Sequence, residues 1–288
     1  MRLQFVAEHR NLWPISVMCR VLRVTRAAFY SWLQRKPSAN ATRQKQIVTE
    51  LKRIHSLPRH QDYGSPRLHH ELLKKGVNCS VNTVAKLMRL SGIKARNTRR
   101  FRVVTTDSNH DFPIAPNRVN RDFSPAEPNQ IWLSDFTYIP TKEGFTYLCT
   151  VQDPFSRRIV GWSTGTRIDA QLALAALNQA IALRQPTPGL IVHTDRGSQF
   201  ASAAYRKTLM QHRFLPSMSR QGNCYDNAPM ESFFKSFKVE EVYHNNYESH
   251  EEATRAVTDY IERFYNPKRL HSALGYASPN DYEKLQSS

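Results

Sequence analysis

Long apolar segments are missing from this chain of 288 residues. No stretch approaches about 18 uninterrupted apolar residues, the length at which a membrane-spanning helix becomes a candidate. The N-terminal segment MRLQFVAEHR is too polar for the core of a signal peptide. We therefore expect a cytoplasmic protein with no membrane partner.

Cysteine is scarce and scattered. The four cysteines, Cys19, Cys79, Cys149 and Cys224, form no Cys-x-x-Cys pair and no cluster with histidine. This spacing argues against a disulfide framework and against a zinc site. We interpret all four as reduced thiols with a structural role.

Acidic residues are rare in the first third of the chain. Residues 1–100 hold 21 Lys and Arg against 4 Asp and Glu, whereas residues 101–288 hold 20 of each. The whole formal net charge of +17 therefore lies in the first hundred residues. A block of this sign and size favours a polyanionic partner, either nucleic acid or an anionic membrane surface, over a merely solvated basic surface.

A helix-turn-helix pattern occupies residues 15–33 of this basic segment. Two runs of apolar residues at helical spacing flank Thr25, which is a good N-cap candidate for the second helix. We assign the unit to residues 1–36. The polar stretch that follows, residues 37–44, is interpreted as a short linker.

The same pattern recurs further along. A helix is predicted from Ser65, Gly76 breaks it, and Ser80 opens a second helix that stops at Gly92. We assign this second unit to residues 45–95.

In both units the later helix carries basic or hydrogen-bonding residues on its polar side. Helices of this kind enter the major groove of DNA, where such side chains meet bases and phosphates. The candidate DNA contacts are Arg23, Arg26 and Tyr30 in the first unit and Asn82, Thr83, Lys86 and Arg89 in the second. Deleting residues 1–100 is therefore expected to flatten the salt dependence of DNA binding. The deletion should not remove the metal site that is predicted below for the rest of the chain.

After a second linker, residues 96–128, the texture changes to strands and helices. A long helix is predicted from an N-cap at Asp169 to Arg184, and a shorter one near residues 202–212. Strand-like runs rich in β-branched and aromatic residues occur at residues 130–139, 145–151, 158–163, 190–193 and 214–218. This order predicts an α/β core with a mixed five-stranded sheet flanked by helices, beside all-α N-terminal units.

We place that core at residues 129–242, followed by a C-terminal helix and tail at residues 243–288. An amphipathic helix is predicted for residues 250–265. In the tail, Lys268, Arg269 and His271 are weaker candidates for DNA contact, because neighbouring apolar residues indicate that the segment folds back onto the core.

Three acidic residues stand where a solubilising surface would not favour them. Asp135 lies inside an apolar strand, Asp195 directly follows the strand LIVHT, and Glu231 lies in the first turn of the helix PMESFFKSFKVEEVY. Taken singly, Asp135 could face solvent and Glu231 could favour the helix dipole. Their spacing, with 59 residues between the first two and 35 between the last two, favours a joint role.

Other polar residues near these acids have structural explanations. Asp226 and Asn227 precede the helix of Glu231, where such residues usually shape a turn, and Asp153 is interpreted in the same way. We interpret His193 as a core histidine with its hydrogen bonds satisfied. Arg196 could neutralise phosphate or pair with an acid.

Six phrases of the sequence, in order, resemble the OrfB-type transposases of the two-reading-frame insertion-sequence family, which have a retroviral-integrase-like core. They are MCRVLRVTRAAFYSWL, YGSPRLHHEL, NQIWLSDFTYIPT, HTDRGSQFAS, SRQGNCYDNAPMESFFKSFKVEEVY and YNPKRLHSALGYASPNDY. The Asp, Asp, 35 residues, Glu arrangement belongs to the same resemblance. Together these phrases cover nearly the whole chain.

The resemblance implies an RNase H-like catalytic core with Asp135, Asp195 and Glu231 as catalytic carboxylates and ligands of two Mg²⁺ or Mn²⁺ ions. Carboxylates are the ligands that such hard cations prefer, and two ions can stabilise the attacking and leaving oxygens of a phosphodiester together. The implied activity is metal-dependent cleavage of 3′ ends at the insertion-sequence terminal repeats, followed by strand transfer into target DNA.

Lys235 and Lys238 lie four and seven residues after Glu231, so all three project from one helix face. Ordinary surface charge would explain the spacing, but the family also has a basic residue seven positions after its glutamate. We therefore expect Lys238 to grip the DNA backbone, with Lys235 and Arg196 as further contacts.

The family also implies partners and a place in the cell. In this family the active enzyme usually joins this part to an upstream OrfA-like frame that carries a leucine-zipper-like helix, and this chain has no heptad repeat. We therefore expect an OrfA-like fusion or partner, together with self-association. A bacterial, nucleoid-associated location is expected. The alternatives are a DNA-binding regulator without catalysis and a general RNase H-like nuclease.

Overall fold

The two ends of the basic segment fold into separate helical units. The computed structural model describes residues 1–36, 38–96, 113–220 and 224–286, and for residues 224 and 225 the backbone alone. Residues 97–112, which belong to the predicted linker 96–128, lie outside the described ranges.

The first helical unit has three helices around a small core of its own. Thr25 caps the third helix as predicted, because its hydroxyl accepts a hydrogen bond of 3.1 Å from the Ala28 amide. The first helix was not predicted, although Leu3, Val6 and Ala7 have helical spacing and Val6 is fully buried. The helices are α1 (Arg2–His9), α2 (Ile15–Val21) and α3 (Arg26–Gln34).

The second helical unit also has three helices, and its first helix corrects the predicted linker at residues 37–44. That helix begins at Ala39, because the Ser38 hydroxyl accepts from the Ala41 amide at 3.1 Å and caps it. Ser80 caps the last helix as predicted. The helices are α4 (Ala39–His55), α5 (Ser65–Lys74) and α6 (Val81–Leu90).

A five-stranded mixed sheet forms the second half of the chain, as predicted. Its order is β3-β2-β1-β4-β5, with β2 antiparallel to both β1 and β3 and with β4 and β5 parallel to β1. The strands are β1 (Ile131–Thr141), β2 (Gly144–Asp153), β3 (Arg158–Gly165), β4 (Ile191–Thr194) and β5 (Leu215–Met218).

Helices cover both faces of this sheet. Successive side chains of a strand point to opposite sides, so each face contributes apolar residues to its own core. Trp132 joins the core beneath α7 (Ala170–Arg184), whereas its neighbour Leu133 joins the core on the other side. Helix α7 packs so closely on β3 that a Cβ added to Gly161 would lie 2.8 Å from Ala180 Cβ. Beside α7 lie α8 (Ser198–Ala201) and α9 (Ala203–Gln211).

The opposite face is covered by helices from the last quarter of the chain. The predicted helix at residues 250–265 is present, but its last seven residues are π-helical. These elements are α10 (Ala228–Glu240), α11 (His250–Thr258) and the π-helical segment Asp259–Tyr265. Near the C-terminus, α12 (Pro279–Gln286) is tied by Glu283 to Arg158 and Arg184.

The second helical unit shares the hydrophobic core of this face. Leu51 and Leu72 belong to the same buried cluster as Phe233 and Phe237 of α10 and Tyr260 of the π-helical segment. The first helical unit has a separate cluster. The basic third of the chain is therefore not one module. The expectation that deleting residues 1–100 leaves the rest of the site in place stays a prediction, and the shared core now favours it for the first unit alone.

Charged groups are buried at the junction where the tail, α10 and the second unit meet, since Arg67 of α5 also pairs with Glu240 of α10. Arg269 lies between the tail and α10, and its guanidinium donates two hydrogen bonds of 2.7 Å to Glu240. Both side chains are almost fully buried, as is His271. The interpretation of Arg269 and His271 as DNA contacts is thus wrong, because both are enclosed at this junction, whereas Lys268 is exposed.

Among the helices of the described ranges, none is both long and apolar enough to cross a bilayer. The three cysteines whose side chains the structure describes, Cys19, Cys79 and Cys149, are free thiols.

Candidate active site

Parallel pairing of β1 and β4 brings two of the predicted acids to one level of the sheet. Ser134 of β1 lies opposite Thr194 of β4 in the register. Asp135 is the next residue along β1, and Asp195 is the next residue after β4. Neighbouring strands of a sheet lie about 4.8 Å apart, so the two carboxylates are close neighbours. The 59 residues between them in the sequence contain the β2–β3 hairpin and α7.

Glu231 reaches the same place from the first turn of α10. Met230 and Phe233 are buried against the sheet in the core that contains Leu133, while the Glu231 side chain is exposed. Burial, the charge of Asp195 and the charge of Glu231 together raise the pKa of Asp135 well above its usual range. The three acids therefore form one electrostatically coupled group centred on Asp135.

The Asp135 and Asp195 carboxylates are held by donors close to them in the fold. Asp135 Oδ1 accepts 2.7 Å from the Phe136 amide, and Asp195 Oδ1 accepts 2.9 Å from the Gly197 amide. A Cβ added to Gly197 would lie 3.0 Å from Asp195 Oδ1, a tight contact, so glycine at this position of the motif HTDRGSQ leaves the carboxylate undisturbed.

The chemistry of the donors fits a hard divalent cation. All three groups are carboxylates, and a cation would offset the repulsion that raises the pKa of Asp135. Within the described ranges, no three His, Cys, Asp or Glu side chains are gathered closely enough to hold a metal ion, so the fit is one of donor chemistry.

Lys235 and Lys238 lie on the Glu231 face of α10, as predicted. Lys235 is exposed, whereas Lys238 is half-buried with its Nζ 4.4 Å from the centre of the Tyr138 ring. Burial lowers the pKa of Lys238, and the nearby Asp135 charge opposes that shift. Lys238 is therefore held beside the acids over an aromatic face.

Arg196 is also oriented toward the loop that leads to α10. Its Nε donates 2.8 Å to the carbonyl oxygen of Ser219, and the side chain is half-buried. This hydrogen bond fixes the orientation of the Arg196 guanidinium, which belongs to the residue directly after Asp195.

His193 and Asp153 are structural, as predicted. The buried His193 ring bonds to the Ser217 hydroxyl at 2.8 Å and to the Asp226 carbonyl at 2.9 Å. Asp153 accepts from the amides of Asn129 and Phe155, and burial raises its pKa to about 6.

The residue that sequence reasoning missed is Asn227. It was interpreted as a turn former, but its Nδ2 donates 2.9 Å to Asp135 Oδ2. Its neighbour Asp226 has the structural role that was predicted for both residues, and it accepts from Arg220 and Arg121. The position of Asn227, four residues before Glu231 on the approach to α10, was the available signal.

Family models and curated relatives agree with this geometry. Models of an integrase core domain match residues 125–224 and 231–286, and a model of an HTH-like domain matches residues 42–101. The transposase InsF of insertion sequence IS3A from Escherichia coli is 40% identical over 98% of this chain and 98% of its own length. An uncharacterised 31 kDa protein of insertion element IS600 from Shigella sonnei is 40% identical over 91% of this chain and 96% of its own.

The chain belongs to the IS3 transposase family. The predicted resemblance and the predicted fold, an integrase-type α/β core with N-terminal all-helical units, are thereby confirmed. The two integrase-core matches include all three acids, with Asp135 and Asp195 in the first and Glu231 at the start of the second.

Solved structures with detectable likeness include viral integrases. A simian T-cell lymphotropic virus intasome in complex with a PP2A regulatory subunit has a TM-score of 0.44 and 17% identity, with 81% of this chain and 74% of that chain covered. The HTLV-2 integrase catalytic core domain in complex with magnesium has a TM-score of 0.41 and 17% identity, with 55% and 98% covered.

The DNA-contact candidates of this IS3-family chain lie mainly on open surfaces. In the second unit, which the HTH-like match covers, Thr83 differs because it is half-buried and its hydroxyl bonds to the Ser80 hydroxyl at 3.0 Å within the cap of α6. Thr83 thus serves the helix start. The exposed candidates are Arg23, Arg26, Tyr30, Asn82, Lys86 and Arg89.

Proposed function

We propose that this protein is a DNA transposase that binds insertion-sequence ends, cleaves their 3′ ends and transfers them to target DNA. Membership of the IS3 transposase family supports DNA transposition in general. The observation that supports the finer proposal is the register of β1 and β4, which brings Asp135 and Asp195 to one level, with Glu231 near enough for its charge to act on Asp135.

Asp135 and Asp195 follow paired residues of β1 and β4, and the charge of Glu231 acts on Asp135. These three carboxylates would hold two Mg²⁺ or Mn²⁺ ions. Such ions, when bound, stabilise the attacking and leaving oxygens of an in-line displacement. In cleavage, water attacks the phosphorus, the bond from phosphorus to the 3′ oxygen breaks, and a 3′-hydroxyl and a 5′-phosphate are left. In transfer, that 3′-hydroxyl attacks a phosphorus of the target DNA, and the target strand's own 3′ oxygen leaves as a hydroxyl.

The basic side chains around the acids hold the DNA in this proposal. Lys238 lies beside Asp135, and its partly desolvated ammonium would contact the backbone next to the reacting phosphate. Lys235, on the exposed side of the same helix, and Arg196 would extend the contact. The two helical units would read the terminal repeats with the exposed candidates named above.

The proposal includes the cellular setting of the reaction. We infer self-association, because two element ends must be brought together, and an OrfA-like fusion or partner, because the sequence resembles a downstream frame. The DNA substrate would place the protein in the bacterial cytoplasm at the nucleoid.

A strand-transfer assay tests the function directly. Labelled terminal-repeat duplexes are incubated with the wild type in Mg²⁺, beside Glu231→Gln and the matched control Asp169→Asn. Asp169 caps α7 by accepting 2.8 Å from the Leu172 amide, and asparagine caps a helix equally well. Cleavage and transfer products are expected from the wild type and the control and not from Glu231→Gln.

The two alternative functions give different results in the same assay. A DNA-binding regulator would bind the repeats and produce no cleavage with any variant. A general RNase H-like nuclease would cut an unrelated duplex as efficiently as the terminal repeats. Either result would overturn the transposase proposal.

A further inference from the structure

Asn227 has the position of a helix cap but does not cap. It is the N-cap residue of α10, yet its side chain accepts no hydrogen bond from the first turn. Asparagine is among the best N-cap residues because its Oδ1 usually accepts an amide of that turn. At Asn227 the Oδ1 is buried and has no partner among the described residues. Neither capping nor turn formation explains this side chain.

The other end of the carboxamide is aimed at the active site. Asn227 Nδ2 donates to Asp135 Oδ2 at 2.9 Å, and the Phe136 amide donates to the other oxygen at 2.7 Å. Each oxygen of Asp135 thus accepts a hydrogen bond and keeps a second lone-pair direction for a cation. Two donors on two oxygens fix the plane of the carboxylate.

Asp226 anchors the backbone from which Asn227 projects. Its carboxylate is fully buried and accepts from the Arg220 side chain at 3.0 Å, from Arg121 at 3.0 Å and from Asn117 at 3.2 Å. Its carbonyl accepts from the His193 ring at 2.9 Å, which ties it to β4. These bonds lower the pKa of Asp226 well below its usual range, so the anchor stays ionised.

We propose that Asn227 is a positioning residue that orients the Asp135 carboxylate for metal binding, and that Asp226 holds Asn227 in place. This inference rests on the proposed function, in which Asp135 is a metal ligand. Groups that hydrogen-bond to a ligating carboxylate set its orientation, and their loss typically reduces metal affinity or activity about 10- to 100-fold.

The test is a calorimetric titration of the full chain with MnCl₂. Asn227→Ala is expected to bind Mn²⁺ about 10- to 100-fold more weakly than the wild type. Asp226→Asn leaves the Asn227 side chain intact but weakens its anchor, and a smaller loss is expected. The matched control is Asn245→Ala, since Asn245 follows the same helix and donates to Glu241 rather than to the site. Its affinity should equal that of the wild type.

Two outcomes separate this inference from the proposed function. Asp135→Asn should lose Mn²⁺ binding, and unchanged binding in that variant would refute the metal site itself. If Asp135→Asn loses binding while both Asn227→Ala and Asp226→Asn keep wild-type affinity, the positioning role alone is refuted. Circular dichroism without metal verifies that each variant is folded. In addition, the Mn²⁺ concentration for half-maximal cleavage should rise with Asn227→Ala and not with the control.

Discussion

The two N-terminal helical units share a pattern but differ in how they are attached. The first unit encloses its own small core around Val6, Met18, Cys19 and Phe29. The second unit contributes residues such as Leu51 and Leu72 to a core that also contains Phe233 of α10. Of two similar basic modules, one is therefore self-contained and the other is part of the catalytic body.

The difference bears on how DNA reaches the acids. Glu231 lies at the start of α10, and Glu240 at its end joins the junction with the second unit. Arg67 of α5 and Arg269 of the tail both contact that glutamate. Under the proposed function, DNA bound on α6 would be held at a fixed distance from the three acids, and the first unit would contact DNA separately.

The largest expected effect comes from breaking the charged junction. Glu240→Ala leaves the buried Arg269 without its carboxylate and should lower the free energy of unfolding by about 3–5 kcal/mol. Urea unfolding of the full chain measures this change. The control is Glu8→Ala in the first unit, where the glutamate accepts an exposed hydrogen bond from Gln4 and little change is expected. Similar losses in both variants would contradict the contrast between the units.

Cavities made in the two cores should destabilise different regions of the chain. Leu51→Ala, in the shared core, should cost about 2–5 kcal/mol and destabilise α10 together with the second unit. Phe29→Ala should cost a similar amount but open the first unit alone. Hydrogen exchange followed by mass spectrometry measures each region separately. Faster exchange of α10 in Phe29→Ala would show that the units are not independent.

A smaller loss is expected from the exposed edge of the junction. Arg59 forms ion pairs of 2.7 Å with Glu241 and with Asp259. Arg59→Ala should cost about 1–3 kcal/mol, because the mostly buried Glu241 loses its guanidinium partner and keeps neutral donors from Asn245 and Tyr247. A double-mutant cycle with Glu241→Gln measures the coupling between the two side chains. Additive effects would mean that the pair contributes nothing to the junction.

The smallest effect concerns the salt dependence of DNA binding. Deleting residues 1–36 should reduce the log-log slope of affinity against salt by about 0.9 for each DNA phosphate that the first unit neutralises, and it should leave the fold of the core unchanged. Deleting residues 1–96 should reduce the slope further but also expose the shared core. Titrations at several salt concentrations, with melting curves as the control, distinguish the two truncations. Equal melting temperatures would contradict the shared core.

Local signals in the sequence were sufficient for much of this structure. Thr25, Ser80 and Asp169 were predicted as caps because a capping residue acts on amides two or three positions away. The five strands followed from β-branched and aromatic runs. Asp135 was predicted inside an apolar strand and Asp195 directly after one, and the structure has both in these positions.

The features that were missed depend on partners distant in the sequence. Arg269 looks like a surface residue until Glu240 is known to neutralise it in the interior. The role of Asn227 depends on Asp135, 92 positions away. Helix α4 begins within a polar stretch because the apolar face of Ile47, Leu51 and Ile54 packs on the distant core. Such contacts are set by the fold as a whole.

The most direct measurement compares binding and cleavage in one variant. Asp135→Asn removes a charge that the site needs for metal and changes the side-chain shape little. With labelled terminal-repeat duplexes, this variant should keep the wild-type dissociation constant and yield no cleavage product in either Mg²⁺ or Mn²⁺. Cleavage at the wild-type rate by Asp135→Asn would contradict the assignment of the three carboxylates as the catalytic site.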